Sequence, residues 1–159
     1  MPPLRVYLDN HATTRVDPRV VEAMLPYFTE KYGNAGSVSH PFGWEAQEAV
    51  EAAQRSLAAN IGASERELVF TSGATESNNL AIFGVAGRTP AGRRHLLSVA
   101  TEHRAVLDPL DRLKRDGWDV TLLEPEPTGL PSARRITPAQ VADAIRDETV
   151  LLSFMLANH

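Results

Sequence analysis

The chain has 159 residues, of which 43% are hydrophobic and 23% are charged, and both values are typical of a globular protein. The formal net charge of −4 gives no basic excess, so we expect neither nucleic acid nor a membrane surface as a partner. Cysteine is absent, which excludes disulfides, thiolate metal ligands and thiol nucleophiles within these residues. No apolar run approaches the roughly 18 residues that a membrane-spanning helix needs, and we expect a cytoplasmic location.

The first part of the chain is predicted to be helical, with one long loop. Asp17 precedes a proline and predicts the start of a helix, in which Pro26 predicts a kink or an early end. Three glycines and a proline predict a loop over 33–43. The spacing of apolar residues then predicts a helix over 44–60, which Gly62 closes.

From residue 67 onwards, predicted strands alternate with predicted helices. The strands are 67–71, 95–100, 119–123 and 150–156, and the helices are 75–87, 105–116 and 137–145. This alternation predicts an α/β fold, in which a mostly parallel sheet carries helices on both faces. Because the last strand has no closing helix after it, we expect the domain to continue beyond this chain. In such sheets, ligands bind at the carboxyl ends of the strands.

The segment 71–78, TSGATESN, joins a predicted strand to a predicted helix through a glycine. Free backbone N–H groups and the helix dipole favour an anion at such a helix start, and the Thr75 hydroxyl adds a donor. The segment therefore predicts a site for a phosphate monoester. The alternative is an ordinary helix start that Ser72 or Thr75 caps. The segment lacks the lysine of a P-loop and the glycine spacing of a dinucleotide fingerprint.

Two further polar residues follow predicted strands. His103 comes just after strand 95–100, where its ring can stack on a planar ligand or exchange a proton. The alternative is a surface histidine that caps the next helix. Asn158 follows the last strand and can direct an amide to the same sheet edge, or simply occupy a turn. His11, His40 and His103 have no metal-ligand spacing, so we expect no metal site.

Several segments form a series of motifs along the chain. They are YLDNHATT at 7–14, YGNAGS at 32–37, FTSGATESN at 70–78, TEH at 101–103 and LANH at 156–159. In this order they resemble the cysteine desulfurases of the NifS type, in the class V branch of the fold-type I pyridoxal-phosphate enzymes. The resemblance runs from Val6 to His159. It implies that 1–159 is the N-terminal part of a cofactor-binding large domain, with 1–45 as an N-terminal arm and active-site loop.

The resemblance also implies roles for four residues. Ala74 and Thr75 would hold the phosphate of pyridoxal 5′-phosphate, His103 would stack on its ring and assist proton transfer, and Asn158 would contact the ring hydroxyl or the substrate. The family takes sulfur from L-cysteine, leaves L-alanine and passes a persulfide to a sulfur-acceptor or scaffold protein. The sulfur then serves iron–sulfur cluster or thio-cofactor assembly. Family members are usually homodimers.

Three functional groups of the family have no match in these residues. They are the lysine that binds the cofactor covalently, the carboxylate at the pyridine nitrogen and the cysteine that carries the persulfide. The two lysines, Lys31 and Lys114, do not fit the lysine motif, so we expect the chain alone to be inactive. The alternatives are another class V enzyme, such as a selenocysteine lyase or an aminotransferase, and a non-catalytic phosphate-binding or partner-binding module.

Overall fold

A computed structural model describes residues 6–10, 12–127 and 135–157. The chain divides into two compact units, Met1–Phe70 and Thr71–His159. Among the described residues, no helix has the length and apolar character needed to cross a bilayer.

The first unit is helical in its described part. Its helices are α1 (Pro18–Met24), α2 (Pro26–Thr29) and α3 (Pro41–Ile61), and a 3₁₀ turn follows at Glu65–Glu67. Asp17 caps α1, as predicted, by accepting a hydrogen bond from the Arg19 amide at 2.8 Å. Helix α1 ends at Met24 and α2 begins at Pro26, so the early end, one of the two outcomes predicted for Pro26, is confirmed.

Helix α3 begins three residues before the predicted start. His40 caps it through Nδ1, which accepts from the Gly43 amide at 3.3 Å. The predicted C-terminal cap is confirmed, since Gly62 has a left-handed φ of 68°. The preceding loop packs tightly against this helix start. A Cβ atom on Gly33 would lie 2.0 Å from the Phe42 oxygen, so only glycine fits there.

The second unit contains a parallel three-stranded sheet with strand order β2-β1-β3. Its elements are α4 (Ala74–Arg88), β1 (His95–Val99), α5 (Arg104–Arg115), β2 (Asp119–Leu123), α6 (Pro138–Ala144) and β3 (Thr149–Leu152). The predicted α/β class and the parallel pairing are confirmed. β1 lies in the middle, and all five of its residues are buried.

Helices lie on both faces of this sheet. The core between the sheet, α4 and α5 consists of Ile82, Leu96, Val106, Leu110 and Leu113. Side chains alternate along a strand, so Val99 faces the side opposite to Leu96. There Val99 lines a cavity together with Val141 of α6. The carboxyl ends of the strands therefore stand between two helical layers.

His95, the first residue of β1, joins the three strands through its side chain. Its Nδ1 lies 2.7 Å from Thr149 Oγ1, and its Nε2 lies 2.9 Å from Thr121 Oγ1. Burial, and then the charge of the nearby Arg146, lower the pKa of His95. Burial thus favours the neutral form of this ring, which lies at the amino end of the sheet, opposite to the end at which such sheets bind ligands.

Two strand predictions differ from the structure. The predicted strand 67–71 is wrong: Leu68 has extended backbone angles, but the segment pairs with no strand among the described residues. A strand needs a neighbour that accepts and donates its backbone hydrogen bonds. The last strand ends at Leu152 rather than at 156, because the chain beyond that point bonds to the side chains of Ser98 and Glu102.

Candidate functional site

Ala74 and Thr75 are the first two residues of α4, and Gly73 is its N-cap. No side chain caps this helix in the part of the chain that the structure describes, so the alternative of a helix start capped by Ser72 or Thr75 is wrong. The first amides of an α-helix have no partner within the helix. In a helix of 15 residues they stand at the positive end of the dipole.

Hydrogen bonds within the turn before α4 hold it in place. The Glu76 carboxylate accepts from both the amide and the hydroxyl of Ser72, each at 2.7 Å. These two bonds lower the pKa of Glu76, the amide bond most. The hydroxyls of Thr71 and Ser77 lie 2.6 Å apart. Glu76 therefore occupies the Ser72 amide and leaves the amides of the first helical residues available to a ligand.

The space in front of this helix start is open. A Cβ atom on Gly73 would meet no other atom within 4 Å. Thr75 is exposed, and its hydroxyl makes no hydrogen bond within the described residues. Its backbone oxygen accepts from Asn79 Nδ2 at 2.8 Å. The hydroxyl and the amides are thus free to donate to the same anion.

His103 is the N-cap of α5 and is exposed. Its Nδ1 accepts a hydrogen bond from the Ala105 amide at 3.0 Å, so the histidine does cap the next helix. This bond fixes the ring orientation and, in the neutral ring, places the proton on Nε2. Capping uses only one ring nitrogen, and Nε2 and the ring faces remain available for a ligand.

Thr75 and His103 line one cavity of about 440 Å³ between the starts of α4 and α5. That volume is in the range of small-molecule sites. Thr75, Asn79 and Phe83 follow one another at intervals of four residues, so they share one face of α4. The cavity is also lined by Arg104, Ala105, Asp108 and Pro109.

Asn158 lies outside the described residues, so its predicted contact has no structural description. Sequence reasoning did not single out the other cavity residues, although the i, i+4 spacing from Thr75 pointed to Asn79 and Phe83. It also passed over Glu102, a buried carboxylate directly before His103. A charged residue just after a buried strand was the signal for it. Within 6–10, 12–127 and 135–157, no cluster of His, Asp or Glu is arranged to hold a metal ion.

Comparison with known proteins identifies the family. The aminotransferase class-V family model matches residues 6–159. The chain belongs to the class-V aminotransferase family. Cysteine desulfurase IscS of Anaeromyxobacter sp. (strain K) is 56% identical over 97% of this chain and 37% of its own length. The protein of the same name from Neisseria meningitidis serogroup C, serotype 2a, is 53% identical over the same shares. The chain thus spans little more than a third of these curated relatives.

Solved structures agree with this assignment. A NifS-like protein superposes with a TM-score of 0.86 and 37% identity, over 98% of this chain and 41% of that one. DndA from Streptomyces lividans gives a TM-score of 0.76 and 45% identity, over 94% of this chain and 40% of that one. The resemblance to NifS-type proteins that the motifs predict is confirmed.

Proposed function

We propose that this chain holds pyridoxal 5′-phosphate for a cysteine desulfurase. The observation that carries the proposal is the cavity that Thr75 and His103 share, because the two residues come from motifs 28 positions apart. The proposal is supported by relatives called cysteine desulfurase IscS and by a solved relative described as SspA in complex with cysteine.

The start of α4 fits a phosphate group. A phosphate monoester carries close to two negative charges and accepts several hydrogen bonds. The amides of Ala74 and Thr75 and the Thr75 hydroxyl are donors at one place, and the helix dipole favours the charge. Arg104 in the cavity wall adds positive charge, although Asp108 lies 3.5 Å from its guanidinium and offsets part of it. The residues present therefore fit the phosphate of the cofactor.

His103 fits the aromatic part of the cofactor. When bound, the pyridoxal ring supplies an electron sink for charge that develops on the amino-acid substrate. The imidazole is held by its bond to the Ala105 amide, so its face is a fixed surface for stacking. With Nδ1 bound to the Ala105 amide, the Nε2–H group can donate a hydrogen bond to a bound molecule. The part of His103 in proton transfer is carried over from the family resemblance. In this proposal His103 is the catalytic residue of the chain and also a cofactor contact.

The remaining functional groups belong to the same proposal. Asn158 is carried over as a contact of the ring hydroxyl or the substrate. Among the described residues, Lys114 of α5 is not one of those that line the cavity of Thr75 and His103. We therefore expect no covalent link from Lys114 to the cofactor. L-Cysteine as substrate, a sulfur-acceptor partner, iron–sulfur cluster assembly, a homodimer and a cytoplasmic location rest on the family resemblance.

Cofactor binding is the first test. The complete polypeptide that carries this sequence is titrated with pyridoxal phosphate, and the dissociation constant is taken from tryptophan fluorescence. Thr75→Val keeps the shape and removes one donor to a charged ligand, so we expect binding weaker by about tenfold or more. Thr89→Val, at the other end of α4, is the matched control and should stay within about twofold. If Thr75→Val binds pyridoxal phosphate as tightly as the parent, the phosphate does not bind at this helix start.

The reaction is the second test. The complete polypeptide with pyridoxal phosphate is incubated with L-cysteine and a thiol reductant, which releases the persulfide sulfur as sulfide, and sulfide and L-alanine are measured together. We expect both products in equal amounts. An aminotransferase would instead convert L-cysteine to 3-mercaptopyruvate, and would turn over only when a 2-oxo acid such as 2-oxoglutarate is added to accept the amino group. Preference for L-selenocysteine over L-cysteine by a large factor would favour a selenocysteine lyase. If inorganic phosphate competes with pyridoxal phosphate for binding and neither L-cysteine nor L-selenocysteine is turned over, the non-catalytic phosphate-binding module is favoured.

A further inference from the structure

Glu102 is a buried carboxylate between the end of β1 and the histidine of the candidate site. Its exposed fraction is 8%, although acidic side chains are seldom buried without a partner. The residue directly follows Thr101 and directly precedes His103. Its backbone amide donates to the Val99 oxygen at 3.2 Å, which closes a tight turn at the strand end.

The partner of this carboxylate lies beyond β3. Glu102 Oε1 accepts a hydrogen bond from the Met155 amide at 2.5 Å. Met155 belongs to the segment 153–157, which follows the last residue of β3 and which we name the β3 exit segment. A carboxylate that accepts from a backbone amide makes one of the stronger protein hydrogen bonds.

The side chains of Ser98 and Glu102 bond to the chain beyond the last residue of β3. The Ser153 amide still donates to the Leu97 oxygen at 2.9 Å, as in a parallel ladder. The Ser98 hydroxyl then donates to the Ser153 oxygen at 2.8 Å, and Glu102 binds the Met155 amide. Three bonds thus hold the β3 exit segment along β1, and the last of them starts at the residue next to His103.

We propose that Glu102 is a positioning residue, whose carboxylate fixes the turn that presents His103 by tying it to the β3 exit segment. Two hydrogen bonds of Glu102 hold this turn: its backbone amide donates to the Val99 oxygen, and its carboxylate accepts from the Met155 amide. His103 is the next residue, and the orientation of its ring is fixed by the hydrogen bond from the Ala105 amide to Nδ1. The effect on the cofactor rests on the proposed function, whereas the effect on the turn does not.

Two substitutions separate the loss of the charge from the loss of the hydrogen-bonding side chain. Glu102→Gln keeps a side-chain oxygen that accepts from Met155 and removes the charge. Glu102→Ala removes the acceptor and leaves the Met155 amide without a partner. Asp111→Asn, an exposed carboxylate on α5, is the matched control for the loss of one negative charge.

The first measurement is amide hydrogen exchange in the complete polypeptide. In Glu102→Ala we expect about tenfold faster exchange over 101–105 and over the β3 exit segment, with β1 and β2 unchanged. Glu102→Gln should restore most of the protection, and Asp111→Asn should match the parent. Parent-like exchange over 101–105 in Glu102→Ala would overturn the proposal. So would a uniform loss over the whole sheet, or a Glu102→Gln variant that behaves like Glu102→Ala.

The second measurement is the induced circular dichroism of bound pyridoxal phosphate at saturation, which reports the orientation of the ring. We expect Glu102→Ala to lose about half of this signal and to bind about fivefold more weakly, with rescue by Glu102→Gln. A purely structural role would leave the signal of the saturated protein intact and would overturn the link to His103. If the parent does not bind the cofactor while the exchange pattern holds, the proposed function fails and the positioning of the turn stands.

Discussion

The two compact units bury their apolar residues in different ways. In the second unit, every residue of β1 is buried, and Leu96 packs on large side chains of α4 and α5. In the first unit, the buried residues of α3 are small: Gly43, Ala46 and Ala58. Its large side chains remain exposed, including Phe28 at 69% and Tyr32 at 66%. The sheet unit thus supplies its own core, whereas the helical unit does not bury its largest apolar groups.

Removal of a core side chain from the sheet unit should have the largest effect on stability. Leu96→Ala leaves a cavity beneath α4 and α5, and we expect it to lower the free energy of unfolding by about 2–5 kcal/mol. Leu57→Ala in α3 removes a side chain that is 48% exposed, so about 1 kcal/mol or less is expected. Urea unfolding of the complete polypeptide, followed by circular dichroism, measures both.

The outcome decides whether the comparison of the two units is sound. Equal losses from Leu96→Ala and Leu57→Ala would mean that the side chain on α3 is covered in the folded protein in solution. The Leu57 position would then belong to a buried surface, and the helical unit would depend on a partner surface for its stability.

The same contrast explains which parts of the fold could be predicted from sequence. α4, α5 and the three strands have apolar patterns that agree with their burial in the second unit, and all were predicted. The strand expected over 67–71 has the right residue types, but its Val69 is exposed and no neighbouring strand pairs with it among the described residues. A pattern records what a segment can bury, and it does not record whether a partner is present.

The site could be predicted only where the chemistry is local. The start of α4 follows from the glycine and hydroxyl residues of 71–78, and the capping role of His103 follows from its place before a helix. The bond from Glu102 to Met155 joins residues 53 positions apart, so no local pattern indicates it. The earlier start of α3 likewise depends on His40 Nδ1 as a cap, a role that sequence rules assign mainly to Ser, Thr, Asp and Asn.

The two capping histidines allow the site to be separated from ordinary helix capping. His103→Ala and His40→Ala each remove an Nδ1 acceptor at a helix start, so each should lower the free energy of unfolding by about 1 kcal/mol. His103→Ala should also weaken pyridoxal phosphate binding by about tenfold, through the lost stacking surface. Thermal unfolding and the fluorescence titration measure the two effects.

Thr137→Ala is the matched control for the loss of a cap within the second unit. Thr137 caps α6 by accepting from the Gln140 amide at 3.3 Å, and it does not line the cavity of Thr75 and His103. We expect it to lose stability and to keep its affinity for the cofactor. Equal weakening by Thr137→Ala and His103→Ala would mean that affinity follows stability alone. Weakening by His40→Ala would support the expectation that 1–45 contains an active-site loop.

The smallest expected effect is a pH dependence that belongs to the second unit. Burial and the charge of Arg146 lower the pKa of His95 below its ordinary value of about 6.5, against the opposing charges of Asp119 and Glu148. The unfolded chain therefore takes up a proton on His95 at a higher pH than the folded chain does. The stability that the neutral ring contributes is fully present above about pH 6.5, and it is lost as the pH falls from there through the lower folded-state pKa.

His95→Gln tests this expectation, because glutamine can bond to a threonine hydroxyl and does not titrate. We expect the parent to lose more unfolding free energy than His95→Gln between about pH 7.5 and about pH 5.5, as measured by urea unfolding at each pH. If His95→Gln and the parent lose the same amount, the pKa of His95 is the same in the folded and the unfolded chain, and burial of the ring does not contribute to the pH dependence of stability.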